Sequence, residues 1–248
     1  MLSKGWAHRN SRCRLMSLAT LGAVLGLSLA GPALAQTVPG TSDPFLAGMP
    51  NGSTCCGGDS APGQSPVLVS FAITPGSNVT FSVTGSVDNT GAPPSLTPDG
   101  AGPPFLTSSN NGIAGATWPI NALVGVFLDA SQPDSSPTPA SLDFSASGVG
   151  TDFTTLSPAL KQAFFIGDGL TGTGTGSVQN FVVPAGATRL FLGTSDGFGW
   201  FNNSGTFAVT VSAGPTAPSA AVPMLSLPVQ VLLGIALAAA ALFLIRRI

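Results

Sequence analysis

From Val79 to Val87 apolar and hydroxyl-bearing residues alternate, with Val79, Phe81, Val83 and Val87 on one side and Thr80, Ser82, Thr84 and Ser86 on the other. A period of two is that of a half-buried strand, one face in a core and the other in water. Short runs of similar character recur at Ala122 to Leu128, Ala163 to Ile166, Val178 to Val183, Thr188 to Gly193 and Thr206 to Val211, where Phe207, Val209 and Val211 share a face. Val67 to Ile73 reads as the hairpin partner of the Val79 strand, joined to it through the turn Thr74-Pro75-Gly76-Ser77-Asn78. One short helix is expected over Ser157 to Ala163, with Ser157 as cap and Pro158 at its first position. Seven or more short strands with Gly- and Pro-rich connections predict an all-β fold, an antiparallel β-sandwich over residues 65 to 212. Residues 36 to 64, 131 to 140 and 213 to 221 lack periodicity and read as loose segments, the last a flexible stalk.

The two ends carry address signals. Residues 1 to 35 have the layout of a signal peptide: Lys4, Arg9, Arg12 and Arg14, an apolar stretch from Leu15 to Ala30, then Ala33-Leu34-Ala35 as a cleavage site before Gln36. Near the C-terminus, Val229 to Ile245 is apolar apart from Gln230 and is followed by Arg246-Arg247. At about 1.5 Å per residue, its length approaches the ~30 Å of a hydrocarbon core. It is expected to be a transmembrane helix with the arginines inside and the domain outside.

Removing both ends exposes an unusual charge inventory. Only Lys161 and Arg189 remain, against ten acidic residues that are all Asp, so the exported part carries a net charge of −8. This argues against nucleic acid or an anionic membrane surface as a partner, since like charges repel. The sole histidine, His8, lies in the signal segment, and the chain has neither Glu nor Tyr. Without an imidazole, the G-x-S-x-G match at Gly193 to Gly197 lacks the base that a serine nucleophile needs. The G-x-G-x-x-G match at Gly167 to Gly172 is followed by a Thr/Gly tract where a nucleotide-binding helix would be needed. The domain is therefore expected not to be an enzyme; an Asp pair acting in glycoside hydrolysis is the one catalytic alternative. The adjacent Cys55-Cys56 can close a vicinal ring, pair between molecules or stay free.

The candidate site is Gly193 to Phe207, GTSDGFGWFNNSGTF. Asp196, Asn202 and Asn203 can each turn a side-chain oxygen toward one hard cation, and Gly197, Gly199 and Gly205 permit the tight backbone this requires. A set rich in Asp and free of His suits calcium better than zinc or copper. Phe198, Trp200 and Phe201 offer an apolar face for a sugar ring. Asp99 is a further candidate ligand-binding residue and, with Asp129, Asp152 and Asp168, forms a second group of loop carboxylates. The alternative for Asn202 to Gly205 is a plain hairpin turn whose aromatics cap the core.

Pro75-Gly76, the strand ending Thr84-Gly85-Ser86-Val87, Val182 to Gly186, and Asp196 to Val211 with its Asn202-Asn203 pair are together similar to the small calcium-dependent galactose-binding lectins of bacteria. That resemblance implies a jelly-roll sandwich and a calcium ion held by Asp196, Asn202 and Asn203. It also implies backbone carbonyls from Asp88 to Thr90, centred on Asn89, and from Gly199 or Trp200. Separately, Val222-Pro223-Met224-Leu225-Ser226, with the helix and basic end behind it, resembles the IPTL variant of the PEP-CTERM sorting signals read by exosortase-type membrane proteases. Together these readings imply an exported protein, membrane-anchored or released to the surface or matrix, that binds carbohydrate through calcium. The alternative is a structural or adhesive spacer without a ligand.

Overall fold

The computed structural model describes residues 33–214, so the signal segment up to Pro32 and the stalk, sorting motif and apolar run beyond Gly214 lie outside the described residues. Fifteen strands follow one another: β1 (Ala33–Pro39), β2 (Thr54–Cys55), β3 (Asp59–Ser60), β4 (Val67–Leu68), β5 (Asn78–Asp88), β6 (Asp99–Thr107), β7 (Ala116–Leu128), β8 (Leu142–Asp143), β9 (Thr155–Leu156), β10 (Ala163–Phe165), β11 (Leu170–Gly172), β12 (Thr175–Val178), β13 (Asn180–Val182), β14 (Arg189–Thr194) and β15 (Ser204–Ala213). The first large sheet runs β1-β15-β5-β13-β9, and the second runs β10-β7-β14-β4 with β6 and β8 also on β7. The pairing is antiparallel except for β13 with β9 and β7 with β8. The chain is thus mostly β, with two main sheets in the manner of a β-sandwich.

The alternating residues of β5 behave as their period demands: Val79, Phe81, Val83 and Val87 are buried, facing inward with Phe207, Val209 and Val211 of β15. Phenylalanines bridge the sheets, Phe81 meeting Phe181 edge-on at 5.1 Å and Phe181 meeting Phe164, which stacks on Phe127. From Asn121 to Leu128 every residue of β7 is buried, whereas Thr117, Pro119 and Ile120 before them are half-buried, because the second half of the strand is covered on both faces. Its second cover is the segment after β1. There Phe45, Leu46 and Ala47 are almost fully buried, and Ser42 O lies 2.7 Å from where a Cβ on Gly193 of β14 would sit.

Several expectations need correction. Residues 36 to 64 are not loose: β1 pairs with β15 over its whole length, and the segment then packs on the second sheet. The Ala33-Leu34-Ala35 cleavage motif itself forms the start of β1, with Gln36 to Pro39 paired to Val209 to Thr206. Val67 to Ile73 does not form a hairpin with β5, whose two edges are taken by β15 and β13; β4 pairs with β14 in the other sheet, and Thr74 to Asn78 crosses between sheets. The expected Ser157 to Ala163 helix does not form. Lys161 is left-handed at φ 65°, its N–H donates to Phe127 O and its carbonyl accepts from Ala114 N, so the backbone is spent on neighbouring strands. The only helical turns among the described residues are 3-10: Pro44–Leu46, Pro133–Ser135 and Trp200–Asn202. Residues 131 to 140 are irregular but tied down, the Lys161 ammonium donating to Pro133 O, Ser136 O and Pro137 O. No helix among the described residues is long and apolar enough to cross a membrane.

Candidate metal centre

At one end of the sandwich, where β1 ends and β15 begins, four oxygen-bearing side chains are gathered with no cationic side chain of the described residues bonded to them. Asp43 caps the Pro44–Leu46 turn: its Oδ1 accepts from Phe45 N at 2.8 Å, leaving Oδ2 without a partner. Asp59, opposite Cys55 in the β2–β3 hairpin, accepts from Trp200 N through Oδ2 (3.0 Å) and from Phe201 N through Oδ1 (2.8 Å). Asp196 follows β14; its Oδ1 accepts from Gly197 N at 2.6 Å and its Oδ2 is unpartnered. Asn203 precedes β15 and donates through Nδ2 to Gly40 O at 3.1 Å, with Oδ1 unpartnered. Its amide also lies near enough to Asp196 to pull that carboxyl's pKa down, although no well-formed hydrogen bond joins the pair.

All four residues are buried, Asp43 and Asp59 completely, Asp196 to 4% exposure and Asn203 to 7%. Burial is the main cause of the raised pKa of each carboxyl, and it pushes Asp43 up to about 8 with repulsion from Asp59 and Asp196 adding to it. These mutual effects make the three acids neighbours, although one oxygen from each does not bring all three within 4.8 Å of one another, the span of a single shared ion. The domain's two cations are engaged elsewhere: Lys161 as described, and Arg189 through Nε to Asp129 O and Nη2 to Ser131 O. Uncompensated buried carboxylates cost several kcal/mol each, of the order that a bound divalent ion removes. The unpartnered atoms are all hard oxygens, the donor class of calcium, which completes six to eight ligands with carbonyls or water. The Asp43 carboxylate also lies within 4.8 Å of both sulfurs of the Cys55–Cys56 pair. That pair is a vicinal disulfide, and a disulfide sulfur is no thiolate ligand, so the trio does not make a zinc site in this form.

Of the side chains expected from sequence to ligate the ion, Asp196 and Asn203 are in this cluster and Asn202 is not. Asn202 is exposed on the Trp200–Asn202 turn. Asn89 is engaged with Asn121, accepting from its Nδ2 at 2.9 Å. Trp200 is fully buried against Phe45, its indole N–H donating to Thr194 O and its carbonyl accepting from Asn203 N, so neither ring nor carbonyl is offered outward. Asp99 lies at the far end of β6 from Leu106, against the Gly167–Asp168 turn, where its Oδ1 accepts from Asp168 N. Phe198 and Phe201 are exposed, to 71% and 54%. Ser195, of the G-x-S-x-G match, is buried with its hydroxyl donating to Pro119 O and accepting from Ala122 N. Asp43 and Asp59 were not foreseen. Asp43 had a signal, an Asp-Pro step of the kind that opens a helical turn; Asp59 had only the glycines before it.

Comparison with protein-family models and with curated proteins gives no match for this sequence.

Proposed function

We propose that this chain is an exported, non-catalytic β-sandwich of jelly-roll type that holds calcium at Asp43, Asp196 and Asn203, beside Asp59, and, so ordered, binds carbohydrate at the cell surface or in the extracellular matrix. The observation that carries the reading is the set of three buried, partnerless oxygens, Asp43 Oδ2, Asp196 Oδ2 and Asn203 Oδ1, with no positive side chain of the domain beside them. The net charge of −8 on the exported part favours neutral or cationic partners over nucleic acid. A sorting signal at Val222 to Ser226, read by an exosortase-type membrane protease, and an apolar anchor behind it belong to the same reading. Calorimetry of the full chain with calcium tests the ion: heat of binding and a chelator-induced fall in melting temperature support it, and neither response would discard it. A glycan array run with calcium and with chelator tests the ligand. Mass spectrometry of the protein from its host tests the sorting, an end near Val222 supporting cleavage and an intact Ile248 a permanent anchor.

One observation favours a second reading, a spacer whose ion only rivets the fold: the gathered side chains are nearly closed to solvent, so an ion among them has little access to sugar hydroxyls. Calcium binding without any calcium-dependent glycan retention is the outcome this second reading expects.

A further inference from the structure

Beside the metal centre runs a cleft of about 390 Å³ lined by Cys56, Gly57, Leu106, Ser108, Asn110 and Phe198, among others. Two large apolar side chains stand at it in water, Leu106 at 66% exposure and Phe198 at 71%. The Phe198 ring is backed on one side by Gly57, where an added Cβ would lie 2.2 Å from the ring's Cζ. Gly57 thus lets the ring lie flat on the hairpin turn while its remaining surface stays open. No charged side chain lines the cleft. Ser108 and Asn110, both exposed, add a hydroxyl and an amide.

From this lining we infer that the cleft is the saccharide subsite, taking a neutral glycan against Phe198, and that the calcium orders the cleft from beneath without touching the sugar. The inference rests on the carbohydrate reading above and assigns it a place. A pyranose presents an apolar C–H face, which suits the electron-rich face of an aromatic ring, and hydroxyls, which suit neutral amide and hydroxyl groups. A polyanion finds no cation here and meets a domain of net charge −8. A cationic peptide finds no exposed carboxylate in the lining.

The link to the metal is structural. Asp196, a proposed ligand, holds the Phe198 wall through its Oδ1, which accepts from Gly197 N, and its carbonyl accepts from Thr107 Oγ1 on the opposite wall. Gly199 N donates to Cys56 O, fastening the Phe198 loop to the hairpin that carries Asp59. An ion held by Asp196 therefore steadies both walls, one through its side chain and the other through its carbonyl, and by linkage a bound glycan tightens calcium by the same factor.

The test is affinity electrophoresis of the full chain, in a non-glycosidic detergent, through gels containing a neutral glucan, galactan or mannan, with hyaluronate as the anionic comparison. Retention by a neutral polymer, weakened about tenfold or more by Phe198→Ala and about tenfold by chelator, is the expected result. Calorimetric calcium binding should be unchanged in Phe198→Ala, since that side chain donates no oxygen; Asn110→Ala is the second variant, on the other wall. Retention that survives both substitutions overturns the cleft and leaves the carbohydrate reading standing. Retention insensitive to chelator overturns the coupling to calcium. Absence of retention by every polymer overturns the cleft and the carbohydrate reading together, and Phe198-dependent self-association in sedimentation would assign the surface to a second copy of the chain.

Discussion

Asp43 is the residue on which the metal centre can be tested most sharply. Its carboxyl has a pKa near 8 in the fold, against 3.8 for the ordinary group, chiefly because burial disfavours its charge. A carboxyl whose pKa is raised on folding adds stability at pH values below its unfolded pKa, and that contribution is lost as pH climbs through the folded value. Without calcium, the melting temperature should therefore fall as pH is raised from about 5 to about 9, with Asp59 and Asp196 acting in the same direction. With calcium the fall should shrink, since the ion favours the charged forms. Asp43→Asn should melt higher than the parent in chelator at pH 8 and gain less from added calcium; a variant that matches the parent in both conditions would rule Asp43 out as a ligand. Part of this centre was legible in the sequence. Phe207, Val209 and Val211 point inward, and the same parity carried back along the strand turns Asn203 inward and Asn202 outward. Asp43 and Asp59 were not legible, because a side chain placed by a turn leaves no periodic trace.

The strands show why some elements could be read and others could not. β5, β10, β14 and β15, and the second half of β7, announce themselves by alternation or by continuous apolar character. β6 carries Gly100, Gly102, Pro103 and Pro104, residues that read as a turn, and the fold accommodates them with a register shift between Ala101 and Phe105. β1 was hidden by its overlap with the cleavage motif. The continuous burial of Asn121 to Leu128 held an unused clue, since a strand apolar on both faces needs a second cover, and the Pro44–Leu46 segment lies against both β7 and β14. Phe45, fully buried and edge-on to Trp200 at 5.9 Å, is the anchor of that cover. Phe45→Ala should cost about 3–5 kcal/mol, lowering the melting temperature by roughly 10 °C. It should also weaken calcium, because the ring anchors the turn whose backbone N–H at position 45 positions the Asp43 carboxyl. Thermal denaturation with and without calcium checks both, and a loss under 1 °C would show that the cover is not anchored there.

Across the whole molecule, the first described strand pairs with the last. β1 lies beside β15, which in turn holds β5 through a ten-residue register from Ser204–Asp88 to Ala213–Val79. An inner strand of the first sheet is thus the last of the described strands to be synthesised, and such distant pairings make for slow folding. A chain ending at residue 203 should show no cooperative thermal transition by circular dichroism, whereas one ending at 214 should. A sharp transition in the shorter chain would mean that the second sheet and its cover fold without the first.

The antiparallel register of β1 on β15 also decides how the domain is presented. Ala33 lies beside Ser212 at one pole, while Pro39 lies beside Thr206 at the other, about 20 Å away at the rise of a strand. The chain enters and leaves at the first pole, and the gathered carboxylates with the Phe198 cleft beside them occupy the second. Any tether attached through residue 214 therefore works like the handle of a spoon, holding the bowl at the end farthest from the hand.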